Sequence, residues 1–341
     1  MKEPIYPWHL KNWQYLQNNK STLPHAMIFH GPEGTGIEHF AELWAQNILC
    51  ENHTDIAQTA CECSSCRWFS QHSHPDFRQL TPESFEAVSE RADNANDTDT
   101  KKTRVSQKIP IDAIRQLHDF VNITSHRGGE KVILIFPVES MTIEAANALL
   151  KMLEEPPEKT FFLLVTAHMK ALLPTILSRC GKLAFPLPNT TESLQWLEKQ
   201  HVKNAAILLA EQGGAPLFAL EAFETASNHQ EHQILLDFLL LPQRNTLLKT
   251  AEQLQKVPIR QVVLWLQRWG YDLVSQSQAA QVRYHIQHQK ALQTLALKVH
   301  ANLLFQFMTV LTSRKKTAEH PLAPRLLLES LLIEYLKLFS N

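Results

Sequence analysis

The sequence predicts an α/β domain built on a parallel sheet, followed by a region that is entirely helical. Three apolar runs, at residues 26–30, 132–136 and 161–165, support the sheet, and helical patterns separate them. Continuous apolar runs of this length are typical of strands that are buried on both faces of a parallel sheet. Beyond residue 188 the apolar residues recur only at helical spacing. We therefore expect an α/β domain plus an all-α region.

A helix is predicted between the second and third strands. Apolar residues recur at helical spacing from Ile143 to Leu153, and two prolines follow at 156–157. Proline lacks a backbone N–H and its ring clashes with the preceding turn, so the helix is expected to end before residue 156.

The second half of the chain is predicted to form successive helices. Pro258 suits the first position of a helix, which we expect to run to Trp269 and to stop at Gly270. The other predicted helices span residues 192–200, 202–212, 291–313 and 325–339.

One segment, residues 82–108, is polar and almost free of large apolar side chains. Such a stretch buries too little surface to offset the entropy lost on ordering, which predicts a mobile surface insertion. Its end is basic, with Lys101, Lys102 and Arg104, and this leaves a contact with DNA open beside the simpler interpretation of a solvated loop.

The overall composition limits the class of protein. A chain of 341 residues exceeds what one hydrophobic core usually serves, so two or three domains are expected. The N-terminus has no apolar segment typical of a signal peptide, and no apolar run is long enough to span a bilayer. This predicts a cytoplasmic protein that does not bind membranes. The net charge of −1 argues against a protein that grips DNA by itself.

The first predicted strand leads into a degenerate phosphate-binding loop. Gly31, Gly34 and Gly36 match the glycine-rich pattern G-x-x-x-x-G-K-[ST], in which backbone N–H groups surround phosphates at a helix N-terminus. Ile37 stands where a lysine should neutralise the phosphates, and Glu38 stands where a hydroxyl should hold Mg²⁺. The loop therefore predicts the fold of a nucleotide-binding protein without its cofactor, although the glycines leave weak nucleotide binding open.

The second predicted strand gives an independent indication of lost hydrolysis. An active ATPase of this class places two carboxylates at the end of that strand, one for Mg²⁺ and one for the attacking water. This chain has Phe136 and Pro137 there, and Glu139 lies two residues further on, too displaced to be taken as a replacement. Together with the loop, this predicts a chain with no intrinsic ATPase activity.

Four cysteines lie close together in the sequence, at Cys50, Cys61, Cys63 and Cys66, whereas Cys180 stands alone. In a cytosolic chain such clustering predicts a metal site rather than disulfides, and four thiolates suffice for a tetrahedral structural Zn²⁺ site. Reduced, buried thiols are the alternative. Histidines that could replace one of the four ligands are His53, His72 and His74.

Two motifs resemble those of the bacterial clamp-loader AAA+ family. Residues 147–157 read N-A-L-L-K-M-L-E-E-P-P, which matches that family's N-A-L-L-K-x-L-E-E-P-P run, and residues 178–180 read S-R-C. The likeness covers nearly the whole chain. Shorter matches occur at residues 6–8 (Y-P-W), 23–26 (L-P-H-A), 74–76 (H-P-D) and 324–329 (P-R-L-L-L-E).

The resemblance implies three domains. They are a RecA-like AAA+ domain at residues 1–187, a small helical lid at 188–228 and a helical collar for oligomerisation at 229–341. The first domain would carry a zinc module at residues 50–66 and the insertion at 82–108. The family's module normally has two residues between successive members of the last three cysteines, whereas this chain has only Glu62 between Cys61 and Cys63.

The resemblance also implies a function. An intact S-R-C motif beside a lysine-free phosphate loop is similar to the non-hydrolysing subunit of a DNA polymerase III clamp loader, rather than to its motor subunit. Arg179 would then be an arginine finger that enters the ATP site of a neighbouring subunit. Thr166 lies near the sensor position of active members. Implied partners are the motor subunits (gamma or tau), a delta subunit, the sliding clamp and primer–template DNA.

Two other functions remain as hypotheses. An active ATPase motor subunit is opposed by Ile37, Glu38, Phe136 and Pro137, and ATP turnover by the isolated chain would revive it. A stand-alone, zinc-dependent DNA-binding protein is opposed by the balanced charge, and tight, salt-sensitive DNA binding by the chain alone would support it.

Overall fold

The computed structural model describes residues 5–52, 55, 61–82, 108–123, 125, 129–225, 228–317 and 324–339. The chain divides into two units, Met1–Asn189 and Thr190–Asn341. The predicted insertion at 82–108 lies almost wholly outside the described residues.

The first unit alternates strands and helices, as the apolar runs predict. Its strands are β1 (Ala26–His30), β2 (Phe77–Leu80), β3 (Lys131–Ile135), β4 (Thr160–Thr166) and β5 (Gly181–Ala184). Its helices are α1 (Leu10–Asn18), α2 (Ile37–Leu49), α3 (Ser64–Ser70), α4 (Ile111–Asn122), α5 (Ile143–Glu154) and α6 (Pro174–Leu177).

The five strands form one parallel sheet in the order β2-β3-β4-β1-β5. The three strands predicted from apolar runs are its central ones and are almost entirely buried. The edge strands β2 and β5 contain no fully buried residue, and no continuous apolar run marks them in the sequence. The parallel-sheet fold class is confirmed, with two edge strands that the sequence did not indicate.

Helices cover both faces of this sheet. Successive side chains of a strand point to opposite faces, and in β1 Ala26 and Ile28 belong to one hydrophobic cluster while Met27 and Phe29 belong to the other. The first cluster is closed by α4 and α5, and the second by α1 and α2. The result is a three-layer arrangement, with the parallel sheet between two layers of helices.

The second unit is helical throughout its described residues. Its helices are α7 (Thr190–Lys199), α8 (Ala205–Glu211), α9 (Pro216–Glu224), α10 (Asn228–Leu240), α11 (Leu247–Leu254), α12 (Ile259–Ala279), α13 (Gln289–Ala296), α14 (Ala301–Thr317) and α15 (Pro324–Lys337). Helices α10 to α15 share one hydrophobic core. None of the described helices is both long and apolar enough to cross a bilayer.

The predicted stop at Gly270 is wrong. Helix α12 continues through it to Ala279, and a Cβ atom at Gly270 would lie only 2.5 Å from Sδ of Met308 on α14. The glycine therefore allows two helices to approach closely, and this packing offsets the helix-propensity cost of about 1 kcal/mol.

The predicted single helix at 291–313 is also wrong, because the chain breaks it between Ala296 and Ala301. The N–H of Lys298 donates to the carbonyl of Leu295 at 2.9 Å, a short-range bond that closes the first helix. Val299 then packs against the core of the unit. No glycine or proline marks this break in the sequence.

Candidate functional site

The glycine-rich loop lies between β1 and α2, at the carboxyl edge of the sheet. Gly34 and Gly36 have φ angles of 73° and 83°, a left-handed conformation that favours glycine, and Gly36 is the N-cap of α2. The N–H of Gly31 donates to the carbonyl of Thr166 at 3.3 Å, which joins the loop to the end of β4. Gly34 and Gly36 thus occupy positions of the loop whose backbone conformation favours glycine.

Two side-chain hydrogen bonds reach the backbone carbonyls of this loop. Thr35 is buried, and its hydroxyl donates to the carbonyl of Pro32 at 2.8 Å. The indole N–H of Trp8 donates to the carbonyl of Thr35, also at 2.8 Å. The Y-P-W segment near the N-terminus is therefore bound to the loop.

The first residue of α2 belongs to the hydrophobic core. Ile37 is 6% exposed and packs in the cluster that contains Phe40 and Phe185. A Cβ atom on Gly31 would clash with the carbonyl oxygen of Phe185 and would lie 2.9 Å from Cδ1 of Ile37. Glu38 follows in the first turn of α2, where it brings a negative charge close to the N-terminal end of the helix.

Phe136 and Pro137, which follow β3, have no side-chain group that can bind a metal. Phe136 packs against the core and Pro137 precedes a short 3₁₀ turn, Val138–Ser140. Glu139 lies in that turn, and its Oε1 accepts a hydrogen bond of 3.2 Å from the N–H of Ala167. Glu139 is therefore drawn to the end of β4, where it binds the main chain. The hydroxyl of Thr166 accepts from the N–H of His168 at 2.9 Å.

Arg179 follows the short helix α6, in the S-R-C segment. Its Nη1 donates to the carbonyl of Thr175 at 3.0 Å and to the hydroxyl of Ser178 at 3.3 Å. Its Nη2 lies 2.5 Å from Oε1 of Glu154, the last residue of α5. The side chain remains 35% exposed. The S-R-C and L-E-E-P-P segments thus meet through this ion pair, which their separate positions in the sequence did not reveal.

Cys180, the last residue of the S-R-C segment, is 9% exposed. Burial raises the pKa of its thiol to about 11, so the thiol stays protonated and unreactive at neutral pH.

The four clustered cysteines come together in space. One Sγ atom from each of them lies within 4.8 Å of the others, and the Sγ atoms of Cys50 and Cys61 are 3.6 Å apart. Cys50 is the residue that follows α2, whereas Cys63 is the N-cap of α3 and Cys66 lies in its first turn. Two helix ends and the segment just before α3 therefore converge on one point.

This donor set fits a tetrahedral zinc ion. Zinc–sulfur bonds of about 2.3 Å place neighbouring sulfurs about 3.8 Å apart in a tetrahedral site, close to the spacing found here. The side-chain amide of Asn52 donates to Sγ of Cys61 at 3.5 Å, and the N–H of Cys66 donates to Sγ of Cys63 at 3.4 Å. A hydrogen bond from the backbone of Cys63 lowers the pKa of Cys61 to about 7, whereas burial raises the pKa of Cys66.

The alternative histidine ligands do not join this cluster among the described residues. His74 is buried, with Nε2 2.8 Å from the hydroxyl of Ser65 and Nδ1 accepting from the N–H of Asp76 at 3.0 Å. His72 is exposed and takes a left-handed conformation, with φ of 53°. His53 lies outside the described residues. The single residue between Cys61 and Cys63 does not prevent the four thiols from converging.

Comparison with known proteins identifies the relatives of the chain. The family model described as "DNA polymerase III, delta subunit" matches residues 9–189. The DNA polymerase III subunit delta' of Pseudomonas aeruginosa is 33% identical over 352 aligned positions, covering 98% of this chain and 98% of that protein. The subunit delta' of Haemophilus influenzae is 31% identical and covers 77% of this chain and 75% of that protein.

A solved structure of a DNA polymerase III gamma subunit-related protein from Thermotoga maritima is also similar. It is 18% identical and covers 96% of this chain and 99% of that chain, with a TM-score of 0.44. The family model matches more than half of the chain. The similarity to subunits delta' extends along almost all of it. The chain belongs to the DNA polymerase III subunit delta' family.

Proposed function

We propose that this chain is a clamp-loader subunit that hydrolyses no ATP itself and donates Arg179 to the ATP site of a neighbouring motor subunit. The observation that carries the proposal is a contrast within one domain. The position of the phosphate-binding lysine is a buried isoleucine, Ile37, whereas the guanidinium of Arg179 is one-third exposed and fixed by its own chain.

The absence of hydrolysis is supported at both places where an ATPase needs charge. Phosphate neutralisation needs a cation where Ile37 lies, and metal binding needs carboxylates where Phe136 and Pro137 lie. Glu139, the nearest carboxylate in sequence, binds the main chain of Ala167 instead. We therefore expect at most weak nucleotide binding.

The role in trans is supported by the chemistry of Arg179. A guanidinium is planar and always charged. It can donate several hydrogen bonds to the phosphoryl oxygens, on which negative charge develops in the transition state. Such an arginine, supplied by a neighbouring protein, can contribute orders of magnitude to the rate.

The remaining parts of the chain have structural roles in this proposal. Cys50, Cys61, Cys63 and Cys66 would hold a structural zinc ion, which would tie the end of α2 to the start of α3. Helices α7 to α9 would form the lid (188–228), and α10 to α15 the collar (229–341) that keeps the subunit in a ring with gamma or tau and delta subunits. The assembled ring would load the sliding clamp on primed DNA, with this chain as its stator.

The test is the clamp- and DNA-stimulated ATPase rate of the reconstituted loader. Arg179→Ala should lower the rate several-fold while the complex still assembles, because one ATP site loses a group that acts on the transition state. Arg179→Lys should restore little, since it keeps the charge but loses the planar fork. Arg115→Ala is the matched control, because Arg115 is an exposed arginine paired with Asp112 on α4.

An unchanged rate with an intact complex would contradict the finger role and leave the chain a scaffold. ATP turnover by the isolated chain would contradict the loss of hydrolysis and favour a motor subunit. Salt-sensitive, tight binding of DNA by the isolated chain would favour the DNA-binding hypothesis instead.

A further inference from the structure

The guanidinium of Arg179 is held from two directions by different parts of its own domain. The carboxylate of Glu154, at the C-terminal end of α5, lies 2.5 Å from Nη2. The carbonyl of Thr175, in α6, accepts a hydrogen bond of 3.0 Å from Nη1. Because α5 and α6 are separate elements, these contacts fix the head group relative to both.

The charge of Glu154 is not explained by the helix that carries it. The C-terminal end of a helix has a partial negative charge, so a carboxylate is disfavoured there. Glu154 is the last residue of α5, and Glu155 follows it directly. The ion pair with Arg179 offsets this unfavourable placement for Glu154.

The ion pair between Arg179 and Glu154 is fixed in position but remains partly exposed to solvent. The side chain of Arg179 is 35% exposed and that of Glu154 is 49% exposed. A guanidinium has five N–H donors, so one that contacts a carbonyl, a hydroxyl and a carboxylate retains capacity for a further acceptor. The arrangement orients the arginine and leaves it accessible.

We propose that Glu154 is a positioning residue for Arg179, and this inference rests on the proposed finger role. The carboxylate restricts a long, flexible side chain to one orientation before the neighbouring ATP is reached. Less side-chain freedom is then lost when the guanidinium meets the phosphoryl group. Because that contact matters most in the transition state, Glu154 should affect kcat more than KM.

An inhibitory effect of Glu154 on hydrolysis is the alternative that the test distinguishes. A carboxylate beside the guanidinium competes with phosphate for the same donors. If competition dominated, removing the carboxylate would speed hydrolysis, whereas positioning requires that its removal slow hydrolysis.

The experiment uses the reconstituted loader and measures kcat and KM for ATP with clamp and primed DNA present. Glu154→Ala should lower kcat about twofold, less than Arg179→Ala does, because orientation is lost while the finger itself remains, and KM should be nearly unchanged. Glu154→Gln keeps the shape and an accepting oxygen and should recover part of the rate. Glu155→Ala is the matched control, since it removes the same charge from the next residue, for which no ion pair is found among the described residues.

The double variant Glu154→Ala/Arg179→Ala links the two residues. A positioning residue acts only through its partner, so the double variant should be no slower than Arg179→Ala alone. Assembly and thermal unfolding are measured for each variant, and Glu154→Gln serves as the test should the alanine variant fail to fold.

Several results would overturn the inference. A rate for Glu154→Ala equal to that of the wild type would do so, as would a higher rate or an equal further loss in the Arg179→Ala background. If Arg179→Ala itself left the rate unchanged, the finger role would fall and Glu154 with it. If only Arg179→Ala slowed the loader, the finger role would stand without Glu154.

Discussion

The indole N–H of Trp8 donates a 2.8 Å hydrogen bond to the carbonyl of Thr35, in the glycine-rich loop between β1 and α2. Trp8 stacks on Tyr6, with ring centroids 5.1 Å apart and planes 3° from parallel. The N-terminal segment therefore acts as a brace on this loop.

Removal of the hydrogen bond from Trp8 should make local opening of the loop easier and should lower the free energy of unfolding. Trp8→Phe keeps an aromatic ring but deletes the donor, and a hydrogen bond of this kind contributes about 0.5–1.5 kcal/mol to the free energy of unfolding. Hydrogen exchange should speed up in residues 31–36, and denaturant unfolding should show the loss. Trp68→Phe is a control outside the loop, on α3. Unchanged exchange in the loop would show that Trp8 does not brace it.

The four cysteines should carry one zinc ion per chain in protein purified without chelators. Cys66→Ser should abolish the metal, and treatment with a strong chelator should lower the thermal unfolding temperature, since metal binding is coupled to folding of such modules. Cys180→Ala is the control, because this thiol is buried but lies outside the cluster. Metal analysis that finds far less than one zinc per wild-type chain would leave the cluster as reduced thiols.

His9 should make stability depend on pH. It is 2% exposed, packs edge-on against Phe40 and Phe185, and neither ring nitrogen has a hydrogen-bond partner among the described residues. Burial, together with the nearby charge of His39, lowers its pKa from 6.5 to about 3. As the pH falls, His9 is thus protonated near pH 6.5 in the unfolded chain but only near pH 3 in the folded chain.

The sign follows from this difference. The contribution of His9 to stability is complete above pH 6.5 and is lost as the pH falls from 6.5 toward 3, at up to about 1.4 kcal/mol per pH unit. His9→Leu should flatten the dependence of the unfolding free energy on pH across this window. The exposed His118, changed to Leu, is the control. An unaltered pH profile for His9→Leu would show that His9 is not the responsible group.

A buried hydrogen-bond chain should stabilise the helical unit. The indole N–H of Trp269 donates to the hydroxyl of Tyr335 at 2.9 Å, and that hydroxyl donates to the carbonyl of Leu239 at 2.8 Å. Tyr335→Phe leaves both partners buried and unsatisfied, which should cost about 1–3 kcal/mol in the free energy of unfolding. Tyr271→Phe, at a residue that is 42% exposed, should cost far less. Equal losses of unfolding free energy in the two variants would show that the hydrogen bonds of Tyr335 do not stabilise the unit.

The sequence predicted those features that depend on local pattern. The central strands were identified because burial on both faces requires continuous apolar runs. The edge strands β2 and β5 were missed, because only part of each side chain is covered. Gly270 was taken as a helix stop, since its neighbour Met308 is distant in sequence and only the folded structure brings the two together.

In the candidate site too, only features that depend on a local sequence pattern were predicted. The glycine loop and the four cysteines were recognisable because each lies in one short stretch of chain. The pairing of Arg179 with Glu154 was not predicted, because it depends on how α5 and α6 end beside each other. The hydrogen bond from Ala167 to Glu139 likewise depends on the neighbouring ends of β3 and β4.

The packing of Ile37 has a consequence for substitutions at this position. A lysine at that position would have to bring an ammonium group into a cluster that is now closed by Phe40 and Phe185, at a cost of several kcal/mol before any nucleotide could compensate. Phe136 and Pro137 would still offer no carboxylate. A variant with a lysine at position 37 alone is therefore expected to lose stability without gaining the groups that hydrolysis needs.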